Sequence, residues 1–393
     1  MVSEKILTNL KKSSWIRAMF EQGESLRKKY GADNVYDFSL GNPDLEPPQT
    51  VKEVLKKTVL SDTPKMHGYM SNAGYADVRA AVAEHLSKTK GVPVEASHVV
   101  MQCGAGGAMN VVLKTILNPG EEVIVLAPYF AEYLFYIDNH GGVPVIVDTD
   151  RETFQPDAKK IHDAITPKTK AIIINSPNNP TGVIYSRSSL ESIAEVIEKR
   201  QKEFGTTICV ISDEPYDKIV YDGAEVPSVF DVFKNSVIVN SYSKSLSLPG
   251  ERIGFVAVNP GIGDTSDLMD GLIFSTRTLG FVNAPALFQR ILPGSLDAQV
   301  AVEVYKKRRD MLYEIITKAG FSCLRPQGAF YLFPQSPIED DVKFCNEALK
   351  YNLIIVPGTG FGFRGFFRLA YCVDEKTIIN SQKAFEALAA EFK

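Results

Sequence analysis

A lysine flanked by hydroxyls stands in Ser241-Tyr242-Ser243-Lys244-Ser245, and Arg252 follows eight residues later in Leu248-Pro249-Gly250-Glu251-Arg252. An amine in that company can condense with an aldehyde to a Schiff base, while Ser241, Ser243 and Arg252 can hold a phosphate through charge-assisted hydrogen bonds. The pattern suits a phosphate-bearing aldehyde. A polar loop with a solvated lysine has the same composition, and the string alone does not separate the two. The preceding Val237-Ile238-Val239-Asn240 reads as a buried strand, so Lys244 leaves a carboxyl end, where ligands of open α/β sheets gather.

Other strings carry chemistry of their own. Gly104-Ala105-Gly106-Gly107 follows an apolar run and opens a helix containing Met109, Val112, Leu113, Ile116 and Leu117. Such a turn aims unpaired N–H groups at an anion, although Met109 stands where a dinucleotide fingerprint requires glycine. Asp213, in Ser212-Asp213-Glu214-Pro215-Tyr216, is by composition a cap or a surface charge, and Asn175-Ser176-Pro177-Asn178-Asn179-Pro180-Thr181-Gly182 is a polar turn. Arg368 lies inside the strand-like aromatic run Phe366-Phe367-Arg368-Leu369-Ala370, an expensive place for a charge without an anionic partner.

Together these strings resemble the class I/II aminotransferases, fold-type I enzymes that use pyridoxal 5′-phosphate (PLP). The resemblance covers essentially the whole chain, with Gly41, Tyr69, Gly104, Asn179, Asp213, Tyr216, Lys244, Arg252 and Arg368 in family order. It implies that Lys244 forms the Schiff base and shuttles the proton between Cα and C4′. Asp213 would then accept from the pyridine nitrogen, and Tyr216 and Asn179 would bond the phenolic oxygen. The amides of Ala105 and Gly106 would face the phosphate with Ser241, Ser243 and Arg252. Phe130 is the expected ring-stacking aromatic, with Tyr129 as its competitor. Arg368 would grip the substrate α-carboxylate, with Asn179 and the backbone of Gly41 nearby. Tyr69 would reach the phosphate in a partner subunit, making a homodimer. Cis bonds are expected before Pro180 and Pro128. Arg277 stands one position from where dicarboxylate-specific members place a second arginine. A surface role for it leaves an apolar amino-donor site lined by Trp15, Ile16 and Phe20.

The activity implied is amino-group transfer between an α-amino acid and a 2-oxo acid by a ping-pong mechanism. A carbon–sulfur β-lyase of cystathionine type shares these residues and is the alternative. A PLP-sensing regulator would carry a basic DNA-binding extension, whereas this sequence opens directly on aminotransferase-like residues.

Positioning such residues takes a large frame, and 393 residues suffice for two domains. Seven apolar runs between about residues 99 and 258 predict a mostly parallel seven-stranded sheet between helices, hence an α/β fold with a large PLP domain. One covering helix is expected from the capping box Ser188-x-x-Glu191 to about Phe204. The C-terminal third predicts a smaller α+β domain: a helix from Asp297 to Lys318, β-like runs at Ala329–Phe333 and Phe366–Tyr371, and a final helix from Glu375 to Phe392. A further helix is expected over Ser13–Tyr30. The boundaries are 1–45 for an N-terminal segment that by resemblance packs on the small domain, 46–290 and 291–393.

Composition narrows the partners. With 43 basic against 47 acidic residues, net charge −4, no electrostatic footprint for nucleic acid or anionic membrane is expected. The apolar runs are too short to span a membrane, and Met1-Val2-Ser3-Glu4-Lys5-Ile6 lacks a signal-like core, so a cytoplasmic protein is expected. Five scattered cysteines without CxxC spacing predict reduced, mostly buried thiols and no metal site.

Overall fold

The computed structural model describes residues 1–12, 22–23, 25–61 and 63–392. After the two-residue strand β1 (Tyr36–Asp37), all seven apolar runs are strands of one sheet: β2 (Val99–Gln102), β3 (Glu122–Ala127), β4 (Val143–Asp148), β5 (Thr169–Asn175), β6 (Cys209–Asp213), β7 (Ser236–Ser241) and β8 (Gly254–Val258). Their spatial order is β2-β8-β7-β6-β5-β3-β4, and only β8 runs against the others. Central strands β5 and β7 are buried almost throughout, as continuous apolar runs covered on both faces must be. Strand β4 departs from that expectation. It closes the sheet edge, and Val143 and Ile146 are exposed.

Helices Gly104–Ile116, Ala158–Ala164 and Arg187–Phe204 bury apolar faces against the sheet. The last of these starts two residues before its sequence signature. Ser186, not Ser188, is the N-cap and accepts from the Ser189 amide, while Glu191 pairs with Arg187 at 2.9 Å. A second apolar cluster gathers around Val82, Leu86, Ile238, Phe255 and Leu292.

The C-terminal third has its own core, rich in Phe330, Phe344, Phe367 and Phe385. Strands β9 (Tyr331–Leu332), β11 (Val356–Pro357) and β12 (Phe367–Ala370) form an antiparallel sheet with β12 central, and β10 (Leu353–Ile354) pairs in parallel with β1. Phe38, next to β1, is fully buried in this core. The long helix runs Val302–Ala319, later than expected, because Val300 N donates to Ser245 O at 2.9 Å and ties the preceding turn to the lysine loop. The final helix breaks into Glu375–Asn380 and Gln382–Ala390 at Ser381, whose hydroxyl donates back to Ile378 O.

Of the helix expected at Ser13–Tyr30, residues 22–23 and 25–30 are helical; Trp15, Ile16 and Phe20 lie outside the described residues. A helix at Glu4–Lys12 was not foreseen. Only Cys345 and Cys372 are buried, the other three thiols being part-exposed. Among the described residues no helix is long and apolar enough to cross a membrane.

Candidate active site

A cavity of about 360 Å³ opens beyond the carboxyl ends of the parallel strands and collects most of the residues singled out by type. Lys244 leaves the end of β7, and its Nζ donates to Gly41 O at 2.8 Å. Burial brings its pKa down to about 8, opposed by Cys372 and helped by the charges of Arg368 and Arg252. The amine is thus far easier to deprotonate than a surface lysine.

At one end, Ala105 and Gly106 sit in the first turn of helix Gly104–Ile116, where backbone N–H groups have no helical partner. Gly104 has φ 72°, and a Cβ there would come within 2.7 Å of Arg252 Nη2. Glycine is what lets the guanidinium close on the turn. Arg252 itself has φ 52° and donates to Pro249 O at 2.9 Å. Ser241 and Ser243 line the same end.

Asp213 ends β6 and is buried. Its Oδ2 accepts from the Tyr133 hydroxyl, while Oδ1 is buried without a partner. Burial raises its pKa to about 7, against the Tyr133 hydrogen bond that lowers it. An N–H donor, above all a cationic one, is what this carboxylate lacks. Asn175 Nδ2 donates to Asp213 O at 2.9 Å and its Oδ1 accepts from Asn179 N at 2.8 Å, fixing the turn that carries Asn179. The bonds before Pro128, Pro177 and Pro180 are cis; the second was not foreseen.

At the other end, Arg368 projects from β12, only 5 % exposed. Its guanidinium lies 4.7 Å from the Tyr331 ring centre and 4.6 Å from that of Phe361. It donates to Asn179 Oδ1 at 3.0 Å and Ser39 O at 2.6 Å, and Nε is buried without a partner. Neutral oxygens leave its charge available to an anion. The Tyr216 and Tyr331 hydroxyls are 2.9 Å apart. Gly41 meets Tyr331 so closely that a Cβ would overlap its hydroxyl.

Phe130 lines the cavity, edge-on to Tyr133 at 5.6 Å. Tyr129 instead packs against Gly362, and its N donates to Phe361 O at 3.1 Å. Two expected residues stand outside the cavity: Tyr69 is exposed, and Arg277 is exposed near the end of helix Ser266–Thr278, 5.3 Å from the Phe274 ring. Sequence reasoning passed over Glu132, Tyr133, Tyr136, Asn175, Tyr331 and Phe361. Tyr133 stands three residues after Phe130, at the start of helix Glu132–Asn139, and its amide donates to Phe130 O at 3.1 Å.

The model of the family described as aminotransferase class I and II matches residues 33–384. The chain belongs to this family. A probable aspartate/prephenate aminotransferase of Thermus aquaticus is 36% identical over 93% of this chain and 92% of its own length. An amino transferase structure from Eubacterium rectale is 39% identical with TM-score 0.96 and full coverage of both chains. The Thermus thermophilus aspartate aminotransferase structure with maleate is 28% identical with TM-score 0.84, covering 95% of this chain and 96% of that one. The protein is therefore a transaminase, and the β-lyase alternative is not favoured. The residues of its cavity fit PLP, the cofactor of the family. Asp213 Oδ1 lacks the donor that a protonated ring nitrogen supplies, the Gly104–Arg252 cradle suits a phosphate, and Lys244 offers the amine.

Proposed function

We propose that this aminotransferase holds PLP in the cavity and moves an amino group from an α-amino acid to a 2-oxo acid in two successive half-reactions. The unpartnered Oδ1 of buried Asp213 supports this reading most, because no donor among the described residues answers it. When bound, PLP supplies an aldehyde and a ring that takes up electrons from the substrate Cα. Lys244 would hold its aldehyde carbon at rest and, as a free amine whose pKa burial brings down to about 8, would take the proton from the substrate Cα. Asp213 keeps the ring nitrogen protonated by remaining a buried carboxylate beside it. Tyr216 and Asn179 donate to the phenolic oxygen, Phe130 packs on the ring, and Ala105, Gly106, Ser241, Ser243 and Arg252 hold the phosphate. Arg368 takes the substrate α-carboxylate as a planar fork, beside the Gly41 backbone.

The exposed Tyr69 suits a homodimer in which it reaches the partner's phosphate. The division at 1–45, 46–290 and 291–393 and a cytoplasmic setting belong to the same reading. Its test is Lys244→Ala. The purified protein with PLP should be fixed by borohydride with the label on Lys244, and the variant should take no label and lose transamination. Wild-type turnover by the variant would refute the assignment.

A further inference from the structure

Lys244, Arg252 and Arg368 are the only cations lining the cavity among the described residues, and the proposed function uses all three. Two carboxyl groups face the same space; Asp213 is already used by the proposed function, and the second is not. Glu132, first residue of helix Glu132–Asn139, lines the cavity, and its Oε2 is buried with no hydrogen-bond partner. Burial raises its pKa, against its own backbone amide and the nearby charge of Arg368. A carboxylate left without a donor in a low-dielectric wall is costly, and since no described residue supplies one, an occupant of the cavity is in place to do so.

Resting on the reading in which Arg368 holds the α-carboxylate, we infer that Glu132 selects amino donors whose side chain ends in an amide or amine and rejects those ending in a carboxylate. The amide or amine N–H gives the Glu132 carboxylate its missing partner. A distal carboxylate sets a second anion in the same cavity, where among the described residues no uncommitted cation remains to receive it. Specificity then comes from a repulsive element as much as from an attractive one.

Succinamate and succinate share a carbon skeleton and each offers Arg368 one carboxylate; they differ by an amide against a carboxylate at the far end. Calorimetric titration of the PLP-loaded wild type should show succinamate binding roughly tenfold tighter, the size of one charged hydrogen bond made or lost. In Glu132→Gln the preference should vanish or reverse, because the glutamine amide can donate to a carboxylate. Succinate binding as tightly as succinamate to the wild type overturns the inference, and so does an unchanged ratio in the variant or the binding of neither ligand. A separate arm follows cofactor absorbance on adding amino acids. If none discharges it, the transamination reading fails and the inference with it; if some do while the amide preference is absent, only the Glu132 assignment fails.

Discussion

Asp213 sets a measurable trap in the cofactor-free protein. Its pKa is raised from 3.8 to about 7 by burial. That difference corresponds to about 4 kcal/mol, an order-of-magnitude figure for ionising a buried carboxylate whose Oδ1 has no partner. Because the folded state binds this proton more tightly than the unfolded chain, the stabilisation is complete below about pH 4 and disappears as pH rises through 7. Asp213→Asn keeps the shape and removes the titration. In urea unfolding of the cofactor-free proteins, wild type should lose stability relative to Asp213→Asn by about 1.4 kcal/mol per pH unit across that window. PLP should reverse the order, since a cationic ring nitrogen offsets the buried charge that asparagine lacks. The variant should therefore bind PLP more weakly, by up to about 4 kcal/mol. A stability gap that stays flat with pH, or equal PLP affinities, would refute the reasoning.

Gly104→Ala should weaken PLP retention, because a methyl within 2.7 Å of Arg252 Nη2 must displace the guanidinium, and φ 72° adds about 1–2 kcal/mol of strain; unchanged retention on dialysis would contradict the cradle. Tyr69→Phe should lower PLP affinity more than it alters substrate preference, and a fully active monomer on dilution would remove the basis for a shared site. Arg277→Ala should affect kcat/KM for glutamate and leucine alike and only slightly, as expected of an exposed side chain outside the cavity; a loss confined to glutamate would restore it to the pocket of a partner subunit.

The large sheet was legible because each of its strands is a short apolar run, and burial of the central strands on both faces is what such runs record. The same signal misjudged β4: hydrophobicity reports what a strand is made of, and Val143 and Ile146 show that it does not report whether a neighbour follows. Residues at strand ends were legible for a related reason. Lys244 and Asp213 directly follow or end buried strands, so their place in the sheet was implied by the pattern before them. Tyr331, Phe361 and Glu132 had no comparable local signal. Their meaning comes from pairs such as Tyr216 with Tyr331, 115 residues apart in sequence.

The cavity's cations also share a feature that no string of residues displays. Arg368 donates to Ser39 O and Asn179 Oδ1, Arg252 to Pro249 O, and Lys244 to Gly41 O. Every one of these acceptors is a neutral oxygen. A carboxylate partner would have held each cation more tightly, and an incoming phosphate or α-carboxylate would then have to break a charged pair, stranding a buried charge at a cost of about 3–5 kcal/mol. Neutral oxygens position the cations without a carboxylate bonded to any of them, so an arriving anion exchanges a bond worth about 1 kcal/mol for a charge-assisted one roughly twice as strong. Ser39 and Gly41 make two of these contacts from one short loop, so the loop fixes the carboxylate grip and the reactive amine together. Its missing Cβ at Gly41 is the condition for that, since any larger residue would collide with Tyr331 and pull both carbonyls away.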